Sequence, residues 1–150
     1  MVDSETSRRQ RWLGVLAKAR LEELEVAMGN LGDLPDCTML RRPEIGLVMA
    51  RGRAGGSGQR FNLGEIPVTR CAVQSPAGHV GHGYVQGRSK HHAELAATMD
   101  ALLQDGERQS VLLSRVIDPL AEIADERKAA TRRKAEATRV EFFTLVRGGG

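Results

Sequence analysis

The sequence predicts an α+β domain: a small antiparallel sheet, made of a three-stranded meander plus a C-terminal strand, with an N-terminal helical segment and a run of three helices before the last strand. Three observations carry this. Apolar residues at helical spacing mark the first thirty positions, and short β-rich runs separated by turn residues fill 44–86. Helical spacing then returns from Ser89 to about Thr138, before the composition turns β-rich once more.

In the N-terminal segment, Ser7 followed by Gln10 has the form of a capping box, and Trp12, Leu13, Leu16, Leu24 and Met28 then recur at helical spacing. The apolar face drifts near Arg20, so one helix or two fit the pattern. Gly29, Gly32 and Pro35 end it, by removing side-chain packing and then a backbone donor. The three β-rich runs are IGLVMARGR at 45–53, EIPVTRCAVQ at 65–74 and HVGHGYVQG at 79–87, with turns at GGSG, 55–58, and SPAG, 75–78. Two such connections make an antiparallel meander the simplest topology. Pro67, near the start of the second run, is tolerated if its missing donor faces outward.

Ser89 then precedes Leu95, Ala96, Met99, Leu102 and Leu103, with Gly106 beyond, which reads as a helix capped at both ends. A second helix covers Glu107 to Ile117, and Asp118 with Pro119 forms an N-cap and first-turn proline pair that launches a third, running to about Thr138. Beyond Ile123 this helix is polar almost all round, so it is solvated or bridges between bodies. In the tail RVEFFTLVRGGG, a strand would put Val140, Phe142, Thr144 and Val146 on one face and Phe143 and Leu145 on the other. Both faces are mainly apolar, so the segment is expected to be a central strand or an inter-subunit contact.

At 150 residues, 1–150 reads as a single domain. Aromatic residues make up only 3%, which leaves few large anchors and a modest free-standing core, a first hint of dependence on a partner. The net charge of +3 is milder than a nucleic-acid binder usually shows. Cys37 and Cys71 are far apart and lack CxxC spacing, which points away from a disulfide scaffold or a zinc site and suits a reducing cytoplasm. The N-terminus shows neither a membrane-length apolar run nor a signal-peptide core, so a soluble, cytoplasmic protein is expected.

Motifs that could carry chemistry are few. RGRAGGSGQR at 51–60 matches neither GxxxxGK[ST] nor GxGxxG and reads as a hairpin turn, although Arg51, Arg53 and Arg60 could reach an acidic surface on a partner. Arg88, Ser89 and Lys90 form the best candidate anion site, because a helix starting at Ser89 would aim backbone donors and its positive dipole end beside two cations; a plain capped helix fits the same residues. His91, His92 and Glu94 lack HExxH spacing, and no metal ligand set is expected; His79 and His82 carry less weight still. The basic run Arg127, Lys128, Arg132, Arg133, Lys134 and Arg139 reads as a solvated or partner-facing stripe rather than a nucleic-acid grip. No GxSxG is present, and no catalytic residue is assigned.

The blocks GLV at 46–48, GGSGQRF at 55–61, the glycine and TR of LGEIPVTR at 63–70, GYVQGR and HAE within GYVQGRSKHHAE at 83–94, and ATRVEFFTLVRG at 137–148 make the chain resemble the PhnG family, over nearly its whole length. The agreement is weakest over residues 1–40. The resemblance implies a subunit of the carbon-phosphorus lyase core complex, alongside PhnH, PhnI and PhnJ and, through the complex, the ABC-type PhnL and PhnK proteins. It implies no membrane or nucleic-acid partner. The implied reaction joins a phosphonate to the ribose of ATP with release of adenine, so ATP is a substrate of the complex, and this chain by itself holds no cofactor. The resemblance places the chemistry on the I subunit, and Arg70, His92, Glu94, Phe142, Phe143 and Val146 are then candidate interface residues.

Overall fold

A computed structural model describes residues 2–53 and 58–148, with side chains for 4–53 and 58–139. The chain runs α1 (Val2–Lys18), α2 (Leu21–Gly29), β1 (Thr38–Arg53), β2 (Arg60–Gln74), β3 (Val80–Gln86), α3 (Lys90–Leu103), α4 (Gly106–Leu112), a π-helical turn (Leu113–Ile117) and α5 (Asp118–Gly148). The α+β class and the antiparallel meander, in the order β1-β2-β3, are as the sequence predicts.

The N-terminal segment is two helices. Ser7 lies inside α1 rather than at its start, and the break falls after Lys18, where the Glu23 carboxylate accepts from the Arg20 amide at 2.9 Å and so satisfies a donor at the head of α2. Burial explains the break, because it lets Trp12 and Leu16 on α1 and Leu24 and Met28 on α2 all enter one core.

β1 and β2 are longer than the β-rich runs that announce them, while β3, Val80–Gln86, is one residue shorter at each end. β1 begins at Thr38 and carries Pro43 through an irregular, bulged stretch between Met39 and Glu44, which an edge strand tolerates. Of the turn expected at 55–58, residues 55–57 lie outside the described residues. Pro67 sits well inside β2, opposite Leu47, and its carbonyl accepts from the Gly87 amide at 2.8 Å. A residue's N–H and C=O share one side of an antiparallel strand, so the missing donor faces the end of β3 and β1 loses no hydrogen bond.

One face of the sheet is covered by α3, and the approach is close because side chains are missing where the two meet. A Cβ on Gly81 would lie 2.0 Å from the Ala97 carbonyl oxygen, and one on Gly83 2.0 Å from that of Ala93. Ala93, Ala97 and Ala101, four residues apart, form the matching stripe on α3. Around this seam Cys71, Val73 and Val85 meet Met99, Leu102 and Leu103, and α3 also packs on α1, α2 and α4.

Two helix boundaries differ from the predicted ones. Gly106 opens α4 rather than closing α3, with the Asp105 carboxylate accepting from the Glu107 amide at 3.0 Å as N-cap. Asp118 opens α5 as expected, but as a helical residue rather than an extended N-cap: the chain runs from α4 through the π turn straight into α5, and the Asp118 amide bonds the Leu113 carbonyl. Pro119 has no donor for the ladder, and the wider turn before it absorbs the loss without breaking the rod.

The predicted fourth strand is not formed: 139–148 continues α5, and among the described residues the sheet has three strands. No glycine or proline occurs between Leu120 and Arg147, so nothing stops helix propagation, which adds one hydrogen bond per residue. Phe142 and Val146 are four apart, and Val140 and Phe143 three, so the residues read as alternating also fit the helical period. A strand preference of up to about 1 kcal/mol needs a neighbouring strand to be realised.

Candidate functional site

The strand-to-helix junction at 86–94 is built by the seam that holds α3 on β3. Gly87 takes φ of +108°, a conformation a side chain would strain, and this turns the chain off the sheet. The turn is pinned twice: the Thr69 hydroxyl donates to the Gly87 carbonyl at 2.7 Å, and the Gly87 amide donates to Pro67. Ser89 then caps α3, its hydroxyl accepting from the His92 amide at 3.1 Å. That hydroxyl is thereby committed to the helix. Arg88 and Lys90 are exposed on either side of it and give the positive end of α3 a cationic surface.

The neighbouring histidines separate. His91 is exposed and its Nε2 lies 3.2 Å from a Glu25 carboxylate oxygen on α2. His92 is only 7% exposed, and its Nε2 lies 3.2 Å from the Leu16 carbonyl oxygen, so this candidate interface residue ties α3 to α1 inside the core. Glu94 is half-buried. Burial pushes the Cys71 thiol up and the Glu94 charge adds to it; burial, then Asp36, raises Cys37 likewise. The Cys71 thiol donates to the Met39 sulfur at 3.5 Å.

Arg70 stands apart from this junction, exposed on the uncovered face of the sheet, in register with Glu44 on β1 and Tyr84 on β3. With Leu40, Arg41, His82 and Tyr84 it borders an open hollow. Phe142, Phe143 and Val146 fall on α5, where their side chains lie outside the described part. The junction, Arg70 and the tail are therefore three places rather than one site.

The centre the sequence reading missed is Asp100. Its fully buried carboxylate accepts from Arg9 Nε at 3.2 Å and Arg9 Nη2 at 2.9 Å, from Trp12 Nε1 at 2.8 Å and from the His82 amide at 2.9 Å. The hydrogen bond to Asp100 raises the Arg9 guanidinium further, against the opposing effect of burial. One carboxylate thus joins α1, α3 and β3, and it occupies an edge donor of β3, while Gln104 Nε2 donates to the Val80 carbonyl at 2.7 Å beside it. An acid within a run of helix-core residues, ATMDALL, was the available signal.

The basic run on α5 is exposed apart from Arg127, which grips both oxygens of Glu23 at 2.6 Å. Burial alone would raise the Glu23 carboxyl, but the hydrogen bonds from Arg127 and the Arg20 amide, with the charges of both arginines, hold it below its ordinary range. Among the described residues no cluster of three or more His, Cys, Asp or Glu is placed to hold a metal ion, and no helix is long and apolar enough to cross a membrane.

The family model described as "Phosphonate metabolism protein PhnG" matches residues 7–148. The chain is also similar to "Alpha-D-ribose 1-methylphosphonate 5-triphosphate synthase subunit PhnG" of Rhizobium meliloti (strain 1021), at 43% identity over 150 residues, covering 97% of this chain and 93% of that protein.

Proposed function

From the premise that the chain belongs to the PhnG family, we propose that it is a subunit of the alpha-D-ribose 1-methylphosphonate 5-triphosphate synthase of the carbon-phosphorus lyase pathway, needed with the H, I and L subunits. In that reaction a phosphonate oxygen attacks the anomeric carbon of ATP's ribose. The new carbon–oxygen bond replaces the bond to adenine N9, and adenine leaves after N9 takes up a proton. The 5-triphosphate stays on the product. Such a step needs a clamp for the triphosphate, stabilisation of a cationic ribosyl transition state and an acid for the leaving base.

The observation that carries the reading is the near full-length match to a protein named as a subunit of that synthase. Its role as a supporting rather than catalytic subunit is favoured by how the titratable groups are used: Asp100, His92 and Glu23 are each engaged in ties between this chain's own elements. Exposed cations remain, at Arg70, Arg88 and Lys90 and along α5, to meet other subunits or the triphosphate. The complex acts in the cytoplasm, with ATP as substrate.

Co-expression with the H, I, J and L subunits tests this. A stable complex that releases adenine from ATP in the presence of methylphosphonate, and loses that activity when this chain is omitted, is the expected result; full activity without it would overturn the proposal. Removal of residues 138–147 is expected to weaken co-purification with the I subunit, and unchanged co-purification would remove the tail from the interface. Calorimetric titration of the isolated chain with ATP separates this from a stand-alone nucleotide-binding module, for which binding without partners is required.

A further inference from the structure

The ribbon formed by residues 47–53 of β1 and 60–67 of β2 runs past everything that covers the rest of the sheet. β3 ends at Gln86, opposite Val68, so residues before Val68 on β2 pair with β1 alone. Two uncovered strands form a marginal structure by themselves. Yet this ribbon is apolar: Leu63 is 64% exposed, Leu47 57% and Phe61 46%, with Met49 and Val48 exposed beside them. A bulge leaves Leu63 without a cross-strand partner, between Gly64 at φ +133° and Asn62, and Leu63 and Phe61 close over Gly52. A chain short of aromatic anchors has thus left one of its three phenylalanines and several large aliphatic side chains outside its core.

The charge of the same strands is one-sided. β1 and β2 carry six basic residues and two acidic ones, whereas the rest of the chain, with the other 16 basic and 17 acidic residues, is close to neutral. Arg51, Arg53 and Arg60 gather at the tip around a shallow hollow. This also decides against a second copy along the β1 edge. Antiparallel pairing of β1 with itself centred on Gly46 would set Arg41 against Arg51, and centred on Leu47 would set Arg41 against Arg53, and like charges opposite each other are unfavourable.

We propose that this ribbon is a docking arm for a different protein, one that offers an apolar cleft rimmed by carboxylates. The apolar stem enters the cleft and gains the cover it lacks, while the arginine tip meets the acidic rim and orients the encounter. The proposal rests on the subunit reading above, so the partner is another subunit of the synthase.

The test uses the complex. Two variants, Leu47→Ser with Leu63→Ser, and Arg51→Glu with Arg53→Glu and Arg60→Glu, are co-expressed with the other subunits beside the wild-type chain. Each is expected to lower the fraction retained on a tagged partner subunit at least about tenfold, the second more at low salt than at high. Emission from Trp12, buried at the α1–α3 contact, is expected to stay unchanged and to report an intact core. Retention of both variants at the wild-type level overturns the arm and leaves the subunit reading standing. Failure of the wild-type chain to join any subunit overturns both. Dimerisation of the isolated chain that the arm variants abolish, seen by sedimentation, overturns the hetero-partner in favour of a second copy.

Discussion

Substituting Gly83 by alanine probes the seam on which the whole arrangement depends. The added Cβ would lie 2.0 Å from the Ala93 carbonyl oxygen, 2.9 Å from the Ala93 carbonyl carbon and 3.1 Å from the Ala97 amide nitrogen. These are backbone atoms of α3, so no side chain can rotate out of the way. Restoring ordinary contact requires α3 to lift off β3 by about 1 Å or more, which loosens the dispersion contacts of a closely packed interior. Overpacking of this kind typically costs about 1–3 kcal/mol. The clash with backbone on a fully buried seam places it at the upper end, about 3 kcal/mol, even after alanine's gain over glycine in a strand, about 0.5–1 kcal/mol. For a domain of this size that lowers the melting midpoint by roughly 6–12 °C. Gly46→Ala is the control: no atom lies within 4 Å of its Cβ, and it is expected to stay within about 0.5 kcal/mol of wild type. Urea unfolding followed by emission of Trp12, the sole tryptophan, measures both. A Gly83→Ala midpoint equal to that of Gly46→Ala would refute the close approach of α3 to β3.

Asp100→Ala is expected to cost about 3–5 kcal/mol, because it leaves Arg9, the Trp12 indole and the His82 amide without their acceptor; the same urea titration, read by circular dichroism, measures it. The Glu23 carboxyl is held low in the folded chain, so its contribution is fully present above the ordinary glutamate range and is lost as pH falls through its depressed folded value; the stability gap between wild type and Glu23→Gln is therefore expected to shrink on acidification in a pH series of unfolding curves. Both thiols are raised, but Cys71 is buried and Cys37 only half-buried, so a maleimide reagent at neutral pH is expected to label Cys37 first and Cys71 only on unfolding, as peptide mapping will show.

Local chemistry made much of this protein legible before any coordinates. The period of apolar residues located α1, α2 and α3, the SPAG turn separated β2 from β3, and Ser89 announced its own cap, because each of these depends on groups within a few residues of one another. The family was legible in the blocks at 83–94 and 137–148. Tertiary structure decided the remainder. Whether 139–148 is strand or helix turns on the presence of a neighbouring strand, and both periods fit its residues. Gly81 and Gly83 read as loose strand positions until α3 lies across them. His92 and Asp100, polar in sequence, prove internal because their partners Leu16, Arg9 and Trp12 come from α1, more than seventy residues earlier. Conversely Leu47, Phe61 and Leu63 are apolar and exposed, since the sheet extends further than the helix that covers it. Sequence alone determined which segments form which elements and which family they compose; burial is a property of the assembled layers, and only those could tell a core residue from one that waits for a partner.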